Sequence, residues 1–221
     1  MINLLAKEPM MFLAWLMAIF YGITVHEFAH AWAASWQGDN TAKLLGRLTL
    51  NPFSHIDMWG ILMLVFVGFG WGKPVPVNHY NLKNGKISDN IVSLAGISTN
   101  LLSVLVFGII FKILFSHLNP VLLFLGYYGE VNLLAFFVAA LIILNLILAI
   151  FNIIPIPPLD GSHVLFNILP SKYDDFKARL AKNGPFLLLI LIMADLFLGI
   201  GIFSRLFYFF LNLISFIYNL F

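Results

Sequence analysis

The apolar run from Met10 to Trp36 is long enough, as a helix, to cross the hydrocarbon of a bilayer. In that solvent the backbone must satisfy its own hydrogen bonds, which restricts such a run to a helix. Further apolar stretches follow at 91–115, 133–154 and 185–221. Only 10% of the 221 residues are charged and 61% are hydrophobic, whereas soluble domains carry about a quarter charged residues. The chain therefore reads as an all-α polytopic membrane protein, one compact bundle with no length left for a second soluble domain. A net charge of +2 gives no reason to expect nucleic acid. The opening MINLLAKEPMMF lacks the basic stretch and small-residue cleavage site of a signal peptide, so the first apolar segment is expected to be retained.

About five transmembrane helices are expected, at 10–36, 91–115, 133–154, 185–199 and 202–220, the last two divided at Gly199-Ile200-Gly201. The charged stretch 171–184 reads as a separate surface helix. Residues 58–71 are apolar but too short to span comfortably, and Gly60, Gly68 and Gly70 punctuate them. Their β-branched and aromatic content, followed by Pro74-Val75-Pro76, predicts a small re-entrant β insertion over 58–77 after the first helix. Non-helical backbone at that depth is tolerated where it is buried in protein or lines a cavity.

Within the first span, residues 26–30 read His-Glu-Phe-Ala-His. Imidazoles four apart share a helix face and can bind one metal ion, with the intervening glutamate beside them to carry a proton. With no cysteine in the chain, the remaining ligand must be a histidine or a carboxylate. If 58–71 dips in and returns rather than crossing, crossing parity brings Asp160 to the end of the bundle that holds the histidine pair. Asp160 follows Pro155, Pro157 and Pro158, in irregular backbone where a carboxylate can turn back, and is preferred as third ligand. His55, His79 and His163 fall on the same side, while His117 falls on the other. That first side carries Lys43, Arg47, Lys73, Lys83, Lys86, Lys172, Lys177, Arg179 and Lys182, against Lys7, Lys112 and Arg205 opposite, which predicts that it faces the cytoplasm.

HEFAH in a first transmembrane helix, with Asn152 and Leu159-Asp160-Gly161 in a later one, resembles the site-2 protease family of intramembrane zinc metalloproteases. The resemblance extends to GRLTLNP (46–52), GKPVPVN (72–78) and SLAG with Asn100 (93–100), and so covers almost the whole chain, 1–221, as a single membrane-embedded domain. Lacking a PDZ or CBS insertion, it is similar to the small minimal-core bacterial and archaeal members. Ile97 stands where relatives commonly carry proline. The resemblance implies one zinc ion per chain held by His26, His30 and Asp160, Glu27 as catalytic acid and base, and Asn152 on the scissile carbonyl or oxyanion. It further implies a transmembrane protein substrate, surrounding membrane lipid, and regulated intramembrane proteolysis in a cell membrane. The readings from another class are a catalytically silent metal-binding membrane protein or a transporter. A zinc enzyme acting on a lipid or prenylated substrate would use the same chemistry.

Other polar residues allow two readings each. Asn51, His55 and Asp57 could orient the ligand imidazoles or cap the next segment. Gly96 and Asn100, four apart on one helix face, are read first as close helix packing, with Asn100 as polar glue. Glu130, beside Tyr127 and Tyr128, reads as a solvated outer end, and Asp195 as a residue near a hairpin turn.

Overall fold

The computed structural model describes residues 2–128 and 132–220, so Glu130 lies outside the described residues. Among the described residues ten α-helices follow one another: α1 (Ile2–Lys7), α2 (Pro9–Trp36), α3 (Thr41–Leu44), α4 (Met58–Val67), α5 (Lys86–Leu114), α6 (Pro120–Phe124), α7 (Leu133–Asn152), α8 (Asp160–Ile168), α9 (Asp174–Leu198) and α10 (Ile202–Leu220). Four stretches among the described residues are long and apolar enough to cross a membrane: α2, α5, α7 and residues 171–198, which contain α9. Helix α10 is a further apolar helix beside α6 and α7.

Helix α7 is the axis of the bundle. Of its most apolar window 72% is buried, against 17% for the span that contains α9, so α7 is wrapped by protein while α9 presents most of its side chains outward. Small residues let its neighbours approach: a Cβ on Gly22 of α2 would come within 2.7 Å of Leu148 on α7. Ala14, Ala18, Ala140 and Leu141 pack in that seam, while Phe111, Ala139, Ile142 and Ile143 join α7 to α5 and α6.

Residues 56–72 double back on themselves, but the β insertion expected over 58–77 is not present, and no named strand occurs among the described residues. Residues 58–67 are helical. Asp57 caps α4 by accepting a hydrogen bond from the Gly60 N–H at 2.9 Å, and Gly68 ends it at φ 86°. Residues 69–72 then run back along the helix so closely that a Cβ on Gly60 would lie 1.9 Å from the Trp71 carbonyl oxygen. An isolated antiparallel bridge, Ile56 to Gly72, joins the two ends of the excursion. Local capping and two glycine contacts thus outweigh the β-branched composition of the run.

The spans at 10–36, 91–115 and 133–154 correspond to α2, α5 and α7, with α5 beginning earlier, at Lys86. The separate surface helix over 171–184 and the separate span over 185–199 require correction. After a turn at Ser171–Tyr173, α9 runs continuously from Asp174 to Leu198 through Pro185. Gly184 lies against Pro157, where a Cβ would meet the ring at 2.8 Å, so packing supports the helix where proline removes a bond. Helix α9 stops at Gly199, and the Asp195 carboxylate accepts from the Ile202 N–H across the turn.

Candidate metal centre

His26 and His30 occupy one face of α2, and the prolines after α7 turn the chain so that Asp160 opens α8 directly against them. Gly161 permits this docking, since a Cβ there would sit 2.2 Å from the Ile153 carbonyl oxygen. A carboxylate in the first turn of α8 also suits the positive end of the helix dipole. Asp160 is therefore not in irregular backbone but at a helix start, with the proline-broken segment just before it. The Nε2 atoms of the two histidines are 3.0 Å apart, and Asp160 Oδ2 lies 3.1 Å from His26 Nε2 and 3.3 Å from His30 Nε2. Metal–nitrogen and metal–oxygen bonds of 2.0–2.2 Å in a tetrahedron place ligand atoms about 3.3 Å apart.

The protons decide what these atoms can do. Val92 O can only accept, so the His30 Nδ1–H donates to it at 2.8 Å. Asn100 spends its Nδ2 on Gly22 O and Asn145 Oδ1, at 3.1 and 2.8 Å, which leaves its Oδ1 to accept from the His26 Nδ1–H at 2.6 Å. In the neutral tautomer so fixed, both Nε2 atoms carry lone pairs that face each other and the carboxylate. Asp160 Oδ2 is buried without a hydrogen-bond donor. Three converging acceptors and no donor fit a divalent cation, with the outer hydrogen bonds holding the rings for it.

Helix α5 comes close enough to make those bonds only because Gly96 lacks a side chain. A Cβ there would lie 2.6 Å from His26 Cε1 and from His30 Nε2. Asn100 is helix glue, as its bonds to Gly22 and Asn145 show, and it is also the His26 partner. Its signal in sequence was the four-residue spacing from Gly96. Asn51 and Asp57 instead cap local turns through the Phe53 and Gly60 N–H groups, and His55 Nε2 bonds the Thr49 carbonyl at 2.8 Å. Their bonds are thus those of the capping reading. His117 is exposed beyond the far end of α5.

Glu27 accepts a 2.7 Å hydrogen bond from the Val75 N–H, supplied by the extended segment after the excursion over 58–72. It stands between two cavities. A polar one of about 310 Å³ contains His26, His30 and Asp160 in its wall, and an apolar one of about 200 Å³ is walled by Ile23, Leu64, Phe69 and Phe151. His26, Glu27 and Asn152 line both. Asn152 does not touch the three acceptors. Its Nδ2 bonds back to Leu148 O at 2.9 Å, which leaves its second N–H free to turn toward the cavity.

A collar of loops covers this end of the bundle, and its anchor was not singled out from sequence. The buried Asp39 accepts from the Asn78 N–H at 2.7 Å, the Asn81 amide at 3.1 Å and the Thr41 hydroxyl at 2.5 Å. The Asp-x-Thr spacing at 39–41 was the only local clue.

Residues 119–193, which hold Asn152 and Asp160, match the family model described as Peptidase family M50. The chain is 36% identical over 179 residues to "Putative zinc metalloprotease YwhC" of Bacillus subtilis (strain 168), covering 78% of this chain and 77% of that protein. It is 29% identical over 190 residues to the similarly named Rip2 of Mycobacterium tuberculosis (strain ATCC 25618 / H37Rv), covering 83% of this chain and 65% of that one. Rip2 of Mycolicibacterium smegmatis (strain ATCC 700084 / mc(2)155) is 29% identical over 204 residues, covering 89% and 71%. No solved structure matches the chain. Apolar spanning helices, a three-acceptor centre and these relatives together define an integral membrane zinc metalloprotease. The chain belongs to peptidase family M50, the site-2 protease family.

Proposed function

We propose that the chain is an intramembrane endopeptidase that hydrolyses peptide bonds of transmembrane-helix substrates. His26, His30 and Asp160 hold one zinc ion in this reading. The observation that carries it is the position of Glu27 and Asn152 on the shared wall of a polar and an apolar cavity. Water reaches Glu27 through the polar cavity, and an apolar segment reaches it from the other side.

Zinc, when bound, supplies Lewis acidity that acidifies water and polarises a carbonyl. Glu27 accepts the proton of the attacking water and delivers it to the leaving amine, one carboxylate serving both steps. The free N–H of Asn152 turns to the carbonyl oxygen as negative charge develops there. The extended backbone around Val75 provides a surface along which an unwound substrate can lie. Lipid surrounds the outward faces of α5 and α9. The excess of lysine and arginine on the loops around the site supports an opening toward the cytoplasm of a bacterial or archaeal cell membrane.

Purified wild type and Glu27→Gln are compared for zinc content and for cleavage of a model transmembrane substrate and a soluble peptide. Wild type and variant both retain about one zinc per chain, and only wild type cleaves the transmembrane substrate. Equal cleavage by both proteins overturns the role of Glu27, and preference for the soluble peptide overturns the substrate class. Zinc without cleavage of either substrate by wild type favours the silent metal-binding reading.

A further inference from the structure

A second group of metal-ligand side chains lines the same polar cavity: His79, Asp89 and His163. They come from three separate parts of the chain, the turn His79–Asn81, the first turn of α5, and α8 one turn beyond Asp160. One ligand atom from each lies within 4.8 Å of the other two. His79 Nδ1 is 2.7 Å from Asp89 Oδ1, and the His79 and His163 rings stack with centroids 5.4 Å apart and 19° between planes. The other carboxylate oxygen of Asp89 accepts from Asn167 at 2.7 Å, and that same amide bonds Asn90 Oδ1 at 2.8 Å. Asp89 is thus oriented from α8 while its Oδ1 stays turned to the histidines. Outer hydrogen bonds of this kind aim a carboxylate ligand at a metal.

We propose that His79, Asp89 and His163 form a second, weaker site for zinc or a similar transition-metal dication, and that filling it slows the enzyme. Two imidazoles and one carboxylate suit zinc or cobalt rather than the all-oxygen preference of calcium or magnesium. His79 and Asp89, 2.7 Å apart, must part slightly, and the other separations, within 4.8 Å, must close toward the tetrahedral value of about 3.3 Å. The His79 side chain is 49% exposed, against 8% for His26 in the first site. Both facts make the second site the weaker and the more readily exchanged. An ion there ties the loop that ends at His79 to α5 and α8. That loop carries Val75, whose N–H occupies Glu27, and Pro74 and Val77, which wall the cavity. Fixing it holds Glu27 in a bond that competes with its proton transfer and narrows the route of water.

The inhibition rests on the protease reading, whereas the metal count does not. The full chain in detergent is equilibrated with rising free zinc, and bound metal is measured by elemental analysis, with cobalt absorption as a second readout. Wild type takes up a second equivalent that a weak chelator removes. His163→Ala and His79→Ala each take up one only, and His26→Ala retains the weaker one. Excess zinc lowers wild-type cleavage roughly fivefold or more, measured against its rate at low zinc, and leaves each of the two variants at its own low-zinc rate. Either histidine variant answers if the other fails to fold, and retention of the tight equivalent reports folding. One equivalent in wild type at every zinc concentration, or two in all three proteins, overturns the site and leaves His79–Asp89 as a simple ion pair. A second equivalent without inhibition overturns the regulatory role while leaving the protease reading intact.

Discussion

The two histidine–carboxylate groups differ in where their hydrogen bonds go. In the group on α2 and α8, each imidazole spends its Nδ1–H on an acceptor behind it, Val92 O or Asn100 Oδ1, so the inward atoms are all acceptors. In the group at the loop, His79 spends its Nδ1 on the carboxylate itself, and the cluster satisfies part of its own demand. The first is held open by α5; the second can close on itself. Burial follows the same division, since His26 and His30 are 6% and 8% exposed while His79 faces solvent. Outside support, more than the identity of the ligands, separates a preorganised metal centre from a place where an ion can come and go.

The largest effect expected from this contrast is at Asp160. Asp160→Ala leaves two neutral imidazoles, and the tight zinc equivalent is lost altogether in metal analysis of the purified protein, with cleavage at background. Retention of a stoichiometric tight ion would show that the loop cluster, not the α2 pair, holds it. Next comes Gly96→Ala. The added methyl meets both imidazoles at 2.6 Å, and neither ring can retreat without breaking its Nδ1 bond. Overpacking of this kind costs about 1–3 kcal/mol, visible as a lowered Tm together with lost zinc. An unchanged Tm and zinc content would mean that α5 can slide away and that the support is not rigid. Asn100→Leu then removes the acceptor for His26 without replacing a ligand, together with the bonds to Gly22 O and Asn145 Oδ1. Zinc affinity falls about 10–100-fold in a chelator competition, the usual loss for such a partner. Equal affinities would reduce Asn100 to helix glue.

The same contrast marks what could be read from the sequence. The α2 pair was legible because a helix repeats its faces every three to four residues, so His26 and His30 declare their proximity. Asp160 is legible through the proline-broken segment before it, the Leu159-Asp160-Gly161 motif and the parity of crossings if 58–71 returns. The β conformation expected there gives way for a local reason: Asp57 and Gly68 are strong start and stop signals for a short helix, and they outweigh the β-branched composition between them. The change from charged to apolar composition at 184–185 divides α9 in the sequence, whereas the packing of Pro157 on Gly184, which supports one continuous helix there, is a tertiary fact. Asn100 and the loop cluster share that difficulty. Asn100 is 74 residues from His26 and His79 is 10 from Asp89, and no one-dimensional period joins either pair.

The smallest effect lies in the loop collar, and there the sign is set by protonation. Burial pushes the Asp39 carboxyl upward, but bonds from the Thr41 hydroxyl, the Asn78 N–H, the Asn81 amide and the Thr41 N–H outweigh it and hold the group below its ordinary value. A carboxyl lowered in the folded state contributes stability above its unfolded pKa, about 3.9, and loses that contribution as pH falls through the lower folded value. The collar over the polar cavity therefore stays closed at neutral pH and loosens in acid. Limited proteolysis of the loops around 39 and 78 is expected to accelerate below about pH 4 in wild type. Asp39→Asn cannot ionise and keeps one acceptor oxygen for the Thr41 and Asn78 N–H groups that Asp39 holds with two, a loss of about 1 kcal/mol at pH 7 that flattens this acid step. If the variant is cleaved no faster than wild type at neutral pH, the collar is held by other contacts, such as the Ser88 hydroxyl on Gln37 at 2.6 Å and the Lys83 N–H on the Gln37 carbonyl at 2.9 Å. Exposure of the loop cluster would then be independent of Asp39, and the ease of ion exchange at His79 would trace to the cluster's own geometry.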